Sequence, residues 1–173
     1  MKLNQAYKGF QVLAVVILIP LLQACGVYSF TGASIPPEAK TISVQYFPNK
    51  AQLVEPTLSP FFTDKLRDQF TRQTNLEMVD RNGDLAIEGE ITDYKTTPVA
   101  IQGDQTSALN RLSITVNVRF VNMYEPDKDF EQKFTSFLDY PSDSDYNAVK
   151  DELFEGVTEM LTTDIFNKAV INW

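Results

Sequence analysis

From Thr41 to Phe47 apolar and polar side chains alternate, with Ile42, Val44 and Tyr46 on one side, and that period of two predicts a strand. A loop holding Pro48, Asn49 and Pro56 follows. Ser59-Pro60 then offers an N-cap with proline at the first helical position. Leu58, Phe61, Phe62, Leu66 and Phe70 recur at helical spacing against Asp64, Lys65, Arg67 and Asp68, so an amphipathic helix is expected to end near Thr74. Leu76 to Val79 and Leu85 to Tyr94 flank Asn82-Gly83, a dipeptide suited to the positive φ angles of a tight hairpin turn. Within the second of these segments Gly89 falls in the apolar register and marks a bulge or a close packing contact.

The clearest strand lies further on. Leu112, Ile114, Val116, Val118 and Phe120 face one way, while Arg111, Ser113, Thr115, Asn117 and Arg119 face the other. Pro126-Asp127 turns the chain into another strand, with Phe130, Phe134 and Leu138 spaced by four and Phe137 opposite them. Beyond Pro141-Ser142-Asp143-Ser144, a row at spacing four runs Val149, Leu153, Val157, Leu161, Ile165, Ala169, Trp173. Each step of four advances about 400°, so the row drifts by about 40° per step, as a long helix curling across a twisted sheet would require. Trp173, ending that row, is expected to pack. The order strand, helix, three meandering strands, helix implies an α+β fold, with two helices packed on one face of a mixed, mainly antiparallel four-stranded sheet.

The segment ahead of this domain has a different character. Lys2 and Lys8 precede an apolar run from Phe10 to Leu22, broken only by Gln11 and Pro20, and Ala24 supplies a small residue before Cys25. At 13 residues the run falls short of the roughly 20 that a membrane-spanning helix needs. Leu22-Gln23-Ala24-Cys25-Gly26 resembles the bacterial lipobox, which implies cleavage before Cys25, diacylglyceryl and acyl groups on that residue, and attachment to outer-membrane lipid. Two acyl chains already anchor stably at about 0.8 kcal/mol per buried CH₂. The competing possibility, an unmodified thiol, leaves unexplained why the single cysteine of the chain stands at that position. Residues 1–24 are thus expected to be a lipoprotein signal peptide, 25–40 a lipidated tether and 41–173 the folded domain. Gly26, Val27, Tyr28 and Ser29 carry no charge. By resemblance to known sorting schemes, the periplasmic face of the outer membrane is the expected location.

Removing 24 residues from 173 leaves 149, one domain of ordinary size. Their loss takes away Lys2 and Lys8 and no acid, moving the formal charge from −8 to −10. Nucleic acid is an unsuitable partner for such a surface, which has no run of Lys or Arg. The chain holds no histidine. That removes Ser-His-Asp and Cys-His nucleophile systems and the usual zinc sites. Carboxylates remain, but Glu88 and Glu90 on a strand and Asp143 and Asp145 before a helix suit solvated positions better than a catalytic pair. No cofactor is expected beyond the lipid groups on Cys25.

The mature chain resembles the LptE family of outer-membrane lipopolysaccharide-assembly lipoproteins, in the version typical of Bacteroidetes. The likeness runs through Cys25-Gly26-Val27-Tyr28-Ser29-Phe30-Thr31-Gly32, Ser34-Ile35-Pro36-Pro37, Phe61-Phe62-Thr63, Gly83-Asp84-Leu85, Ala108-Leu109-Asn110-Arg111-Leu112, Ile165-Phe166-Asn167-Lys168 and Asn172-Trp173. It implies a non-enzymatic protein that plugs the lumen of the LptD-type β-barrel and helps lipopolysaccharide pass. A lumen is polar, so Arg111, Ser113, Thr115, Asn117 and Arg119 are the candidate barrel-contact face. Any half-solvated sheet shows the same alternation. The two arginines, roughly 26 Å apart along a strand, could meet lipid phosphates or pair with acids on neighbouring strands, and the second is the simpler expectation. An accessory lipoprotein of another envelope machine, for glycan uptake, gliding or secretion, is the alternative function.

Overall fold

The computed structural model describes residues 35–99 and 108–171. The expected signal peptide, Cys25, most of the tether and Trp173 lie outside the described residues. Seven elements follow in order: β1 (Thr41–Val44), α1 (Leu58–Gln73), β2 (Glu77–Val79), β3 (Leu85–Val99), β4 (Leu109–Asn122), β5 (Phe130–Pro141) and α2 (Tyr146–Val170). A single 3-10 turn, Pro126–Lys128, joins β4 to β5. The class is α+β, as the pattern predicts, with a mixed sheet in the order β2-β1-β3-β4-β5.

β4 shows why the chain folds this way. Leu112, Ile114, Val116 and Val118 are fully buried and Phe120 nearly so, while the residues between them stay at least partly open. Burying each such side chain contributes about 1.5–3 kcal/mol, and a slip of one residue would expose all five. Register is therefore fixed. Phe62, Leu66 and Phe70 of α1 and Val157, Leu161, Ile165 and Phe166 of α2 close the same core, with rings 5.1 Å apart in the pairs Phe47–Phe62 and Phe70–Phe166. The spacing-four row on α2 is buried from Leu153 to Ala169, so its drift does follow the sheet. Upstream of β1, Ala39 is buried and Ile35 packs against the core.

Three expectations need correction. The sheet has five strands, not four, because β2 pairs with β1 in parallel. The Asn82-Gly83 turn does not join hydrogen-bonded neighbours, although Asn82 has the positive φ, 55°, that the dipeptide suggested. β1 lies between β2 and β3, parallel to both, so residues 80–84 cross over the β1 backbone. Gly83 lies on that crossing: a Cβ there would stand 2.5 Å from the Ser43 nitrogen and 2.7 Å from the Ile42 carbonyl carbon. Third, the cap of α1 is Thr57, with no side-chain capping bond, and Ser59 and Pro60 fall inside the first turn. Buried Ser59 instead uses its carbonyl to accept from the Thr63 hydroxyl, which itself accepts from the Phe47 N–H at 3.1 Å.

Gly89 is the close contact of its two possibilities. A Cβ there would lie 2.1 Å from the Asn117 carbonyl oxygen and 2.7 Å from the Phe47 ring. The break in the β3–β4 register comes just after it, between Ile91 and Asp93. β4 and β5 pair without interruption from Leu109↔Pro141 to Phe120↔Phe130.

Candidate functional site

Both helices pack on one side of the sheet, so among the described residues no element covers its other face over β3, β4 and β5. Arg111, Ser113, Thr115, Asn117 and Arg119 form the central row of that face, as the alternation predicts. Antiparallel register sets each against partners on both sides: Arg111 between Thr97 and Asp139, Ser113 between Lys95 and Phe137, Thr115 between Asp93 and Thr135.

Arg111 forks onto one carboxylate. Its Nε donates to Asp139 Oδ1 at 2.7 Å and its Nη2 to Oδ2 at 2.9 Å, and the guanidinium centre lies 3.7 Å above the Phe137 ring. These hydrogen bonds hold the Asp139 carboxyl below the ordinary aspartate value and push Arg111 higher still. Arg119 Nη1 donates to Glu88 Oε1 at 3.0 Å, Asn117 donates to Glu131 at 3.1 Å, and the Thr115 and Thr135 hydroxyls are 2.9 Å apart. Of the two roles open to the arginines, pairing with acids of neighbouring strands is the one observed. Next to Arg119 the face dips into a shallow depression of about 520 Å³ lined by Tyr46, Glu88, Glu90, Asn117 and Glu131. The result is a broad polar surface of mixed sign whose two arginines are already partnered by acids of neighbouring strands.

Two of the acidic partners, Asp139 and Glu131, were not singled out by sequence. Asp139 and Glu131 sit at alternate positions of β5 on the side opposite Phe130, Phe134 and Leu138, so continuing the alternation through β5 would have found them. Of the four carboxylates weighed as catalytic, Glu88 serves an ion pair and Asp145 caps α2 by accepting the Asn147 N–H. At the other end of the sheet, the Tyr94 hydroxyl is bonded to that of Tyr146 on α2, and burial pushes both phenols upward. Among the described residues no cluster of His, Cys, Asp or Glu could hold a metal ion, and no helix is long and apolar enough to cross a membrane.

The described residues form a two-layer α+β domain with helices on one face of the sheet and a hydrogen-bonded polar surface on the other. The sequence model of the family described as LptE, lipopolysaccharide-assembly, matches residues 39–169. The chain belongs to that family. Among solved structures it is similar to a minor lipoprotein from Acinetobacter baumannii, with 14% identity, a TM-score of 0.51, 75% of this chain covered and 91% of the other. It is similar also to a putative neuraminyllactose-binding hemagglutinin homolog from Helicobacter pylori, with 9% identity, a TM-score of 0.50, and 79% and 88% covered. A third similarity is to the rare lipoprotein B from Shewanella oneidensis, with 16% identity, a TM-score of 0.38, and 72% and 89% covered. The first two likenesses concern the fold. No curated protein sequence matches.

Proposed function

We propose that this protein is a non-enzymatic outer-membrane lipoprotein, anchored through acyl groups on Cys25, that plugs and supports an LptD-type β-barrel during lipopolysaccharide assembly. The carrying observation is the family match, which spans the two-layer domain from the approach to β1 to the last turn of α2. Sheet geometry supports it. A polar lumen demands a partner whose exposed groups are hydrogen-bonded yet hydrophilic, and the row from Arg111 to Arg119 meets that requirement with its side chains held on the sheet by Asp139, Thr135, Glu131 and Glu88. The lipobox-like Leu22-Gln23-Ala24-Cys25 supplies the membrane attachment.

A photo-crosslinker at Thr115 or Asn117 tests this directly. The expected capture is an outer-membrane protein several times larger than this chain. Depletion is expected to raise sensitivity to bulky hydrophobic antibiotics as lipopolysaccharide coverage thins. An intact permeability barrier together with crosslinks to a nutrient-uptake or secretion channel would replace this reading with that of an accessory lipoprotein of another envelope machine.

A further inference from the structure

β5 is an edge strand whose charges, Glu131, Lys133 and Asp139, all lie on its open face. Ser142 N–H bonds to the Ala108 carbonyl, and the register with β4 is unbroken over the whole strand. The even-numbered residues of β5 therefore exchange backbone hydrogen bonds with β4, and residues 131, 133, 135, 137 and 139 direct their N–H and C=O groups outward. No described residue pairs with those groups. Proteins commonly blunt such an edge with charged side chains, a bulge, an internal proline or a charge pointing inward, and of these β5 has only the first, in Glu131, Lys133 and Asp139. β5 has no register shift, its one proline is its last residue, and its core-facing positions hold Phe130, Gln132, Phe134, Ser136, Leu138 and Tyr140, none of them charged.

We propose that this edge pairs with the same edge of a second copy, antiparallel about a two-fold axis at Ser136, extending the sheet across both chains. Two observations favour this occupant and this register. First, centring on Ser136 sets Lys133 opposite Asp139 of the other copy at both ends, with Phe134 facing Leu138. Centring one residue earlier, on Thr135, would set Glu131 against Asp139, two like charges directly opposed. Second, α2 runs antiparallel above β5: Tyr146 lies 6.1 Å from Tyr140, a Cβ on Gly156 would touch Leu138, and Lys168 sits over Phe130. Met160 is one turn beyond Gly156 on the same stripe, which places it along the middle of β5, and it is an exposed large apolar side chain. A two-fold axis at Ser136 brings the two copies of Met160 toward each other above the joined strands.

This inference concerns the free lipoprotein and does not rest on the barrel reading. In the proposed register the two Ser136 residues form a non-hydrogen-bonded pair, with Cα atoms about 4.5 Å apart, within the range a disulfide spans. In the full mature lipoprotein at detergent excess, light scattering should report a concentration-dependent dimer, and Ser136→Cys should oxidise to a dimer that reductant dissolves, while the unsubstituted chain does not. Thr135→Pro removes an outward N–H and the exposed Thr115–Thr135 hydroxyl bond but no β4–β5 backbone bond, so it should shift the circular dichroism melt no more than Thr135→Val does, while weakening the dimer where Thr135→Val does not. Lys133→Asp sets like charges opposite at both ends and should raise the dissociation constant by about tenfold or more. A Ser136→Cys protein that melts normally yet stays monomeric under oxidation would overturn the proposal. So would a dimer that Thr135→Pro and Lys133→Asp leave undiminished.

Discussion

Thr41 and Asp84 hold each other reciprocally. The Thr41 hydroxyl donates to Asp84 Oδ2 and accepts the Asp84 backbone N–H, both at 2.9 Å, and the Thr41 N–H donates to the same carboxylate oxygen. Lys40 adds its own N–H at 2.8 Å. Together they tie the segment that crosses β1 to the first residue of β1. The Asp84 carboxyl lies below its ordinary value because the Lys40 N–H, the Thr41 hydroxyl and the Thr41 N–H all favour the charged form.

Stability from this clamp should depend on acid in a defined sense. A carboxyl whose folded value is depressed contributes fully above its unfolded value, near ~4 for aspartate, and loses that contribution as pH falls through the lower folded value. Asp84→Ala should therefore be less stable than the natural chain at pH 7, and the gap should narrow as pH drops below about 4. Urea unfolding at several pH values measures it. A gap constant with pH would mean that the carboxylate charge is not what clamps the crossing.

Gly83→Ala should lift the crossing segment off β1, because the added methyl meets main-chain atoms of Ile42 and Ser43 that cannot rotate away. Forced overpacking of this kind costs about 1–3 kcal/mol. The expected signature is a lowered melting temperature with faster amide exchange along β1 and β2 than along β4. A variant as stable as the natural chain would show that the crossing has room to spare.

The two faces of β4 should answer differently to the same truncation. Ile114→Ala opens a cavity in a fully buried position and should cost about 2–5 kcal/mol. Thr115→Ala, its neighbour on the open face, should change stability by less than about 0.5 kcal/mol. Denaturant midpoints compare them, and a costly Thr115→Ala would mark that face as part of the folding core rather than a contact surface.

Cys25→Ala should abolish acyl labelling and leave uncleaved precursor at the inner membrane, on the lipobox argument. Edman or mass analysis of the N-terminus reads the outcome. A mature chain still starting at residue 25 and fractionating with the outer membrane would refute the anchor.

Individual elements were legible in the sequence because each has a strong local period: the β4 alternation and the spacing-four row of α2 are both present where the pattern puts them. What local pattern could not carry was which strands meet. Asn82-Gly83 states a backbone angle, and Asn82 has it, but nothing in a dipeptide says that β1, some 40 residues earlier, will slide between the two segments it joins. The candidate face was half legible for the same reason. Alternation assigned Arg111 and Arg119 to the open side, whereas their partners Asp139 and Glu88 come from strands 28 and 31 residues away in the chain and emerge only once register is fixed.

The crossing also bears on mechanics. β1 is flanked by parallel strands on both sides, it lies close to the N-terminal end of the domain, and residues 80–84 strap across it. A pull applied through that end runs along the strand axis. It would have to shear both ladders at once, with the Thr41–Asp84 clamp loaded in the same instant, instead of peeling bonds off one by one. With the N-terminal anchor proposed above, tension would enter the domain at the strand most firmly held against it.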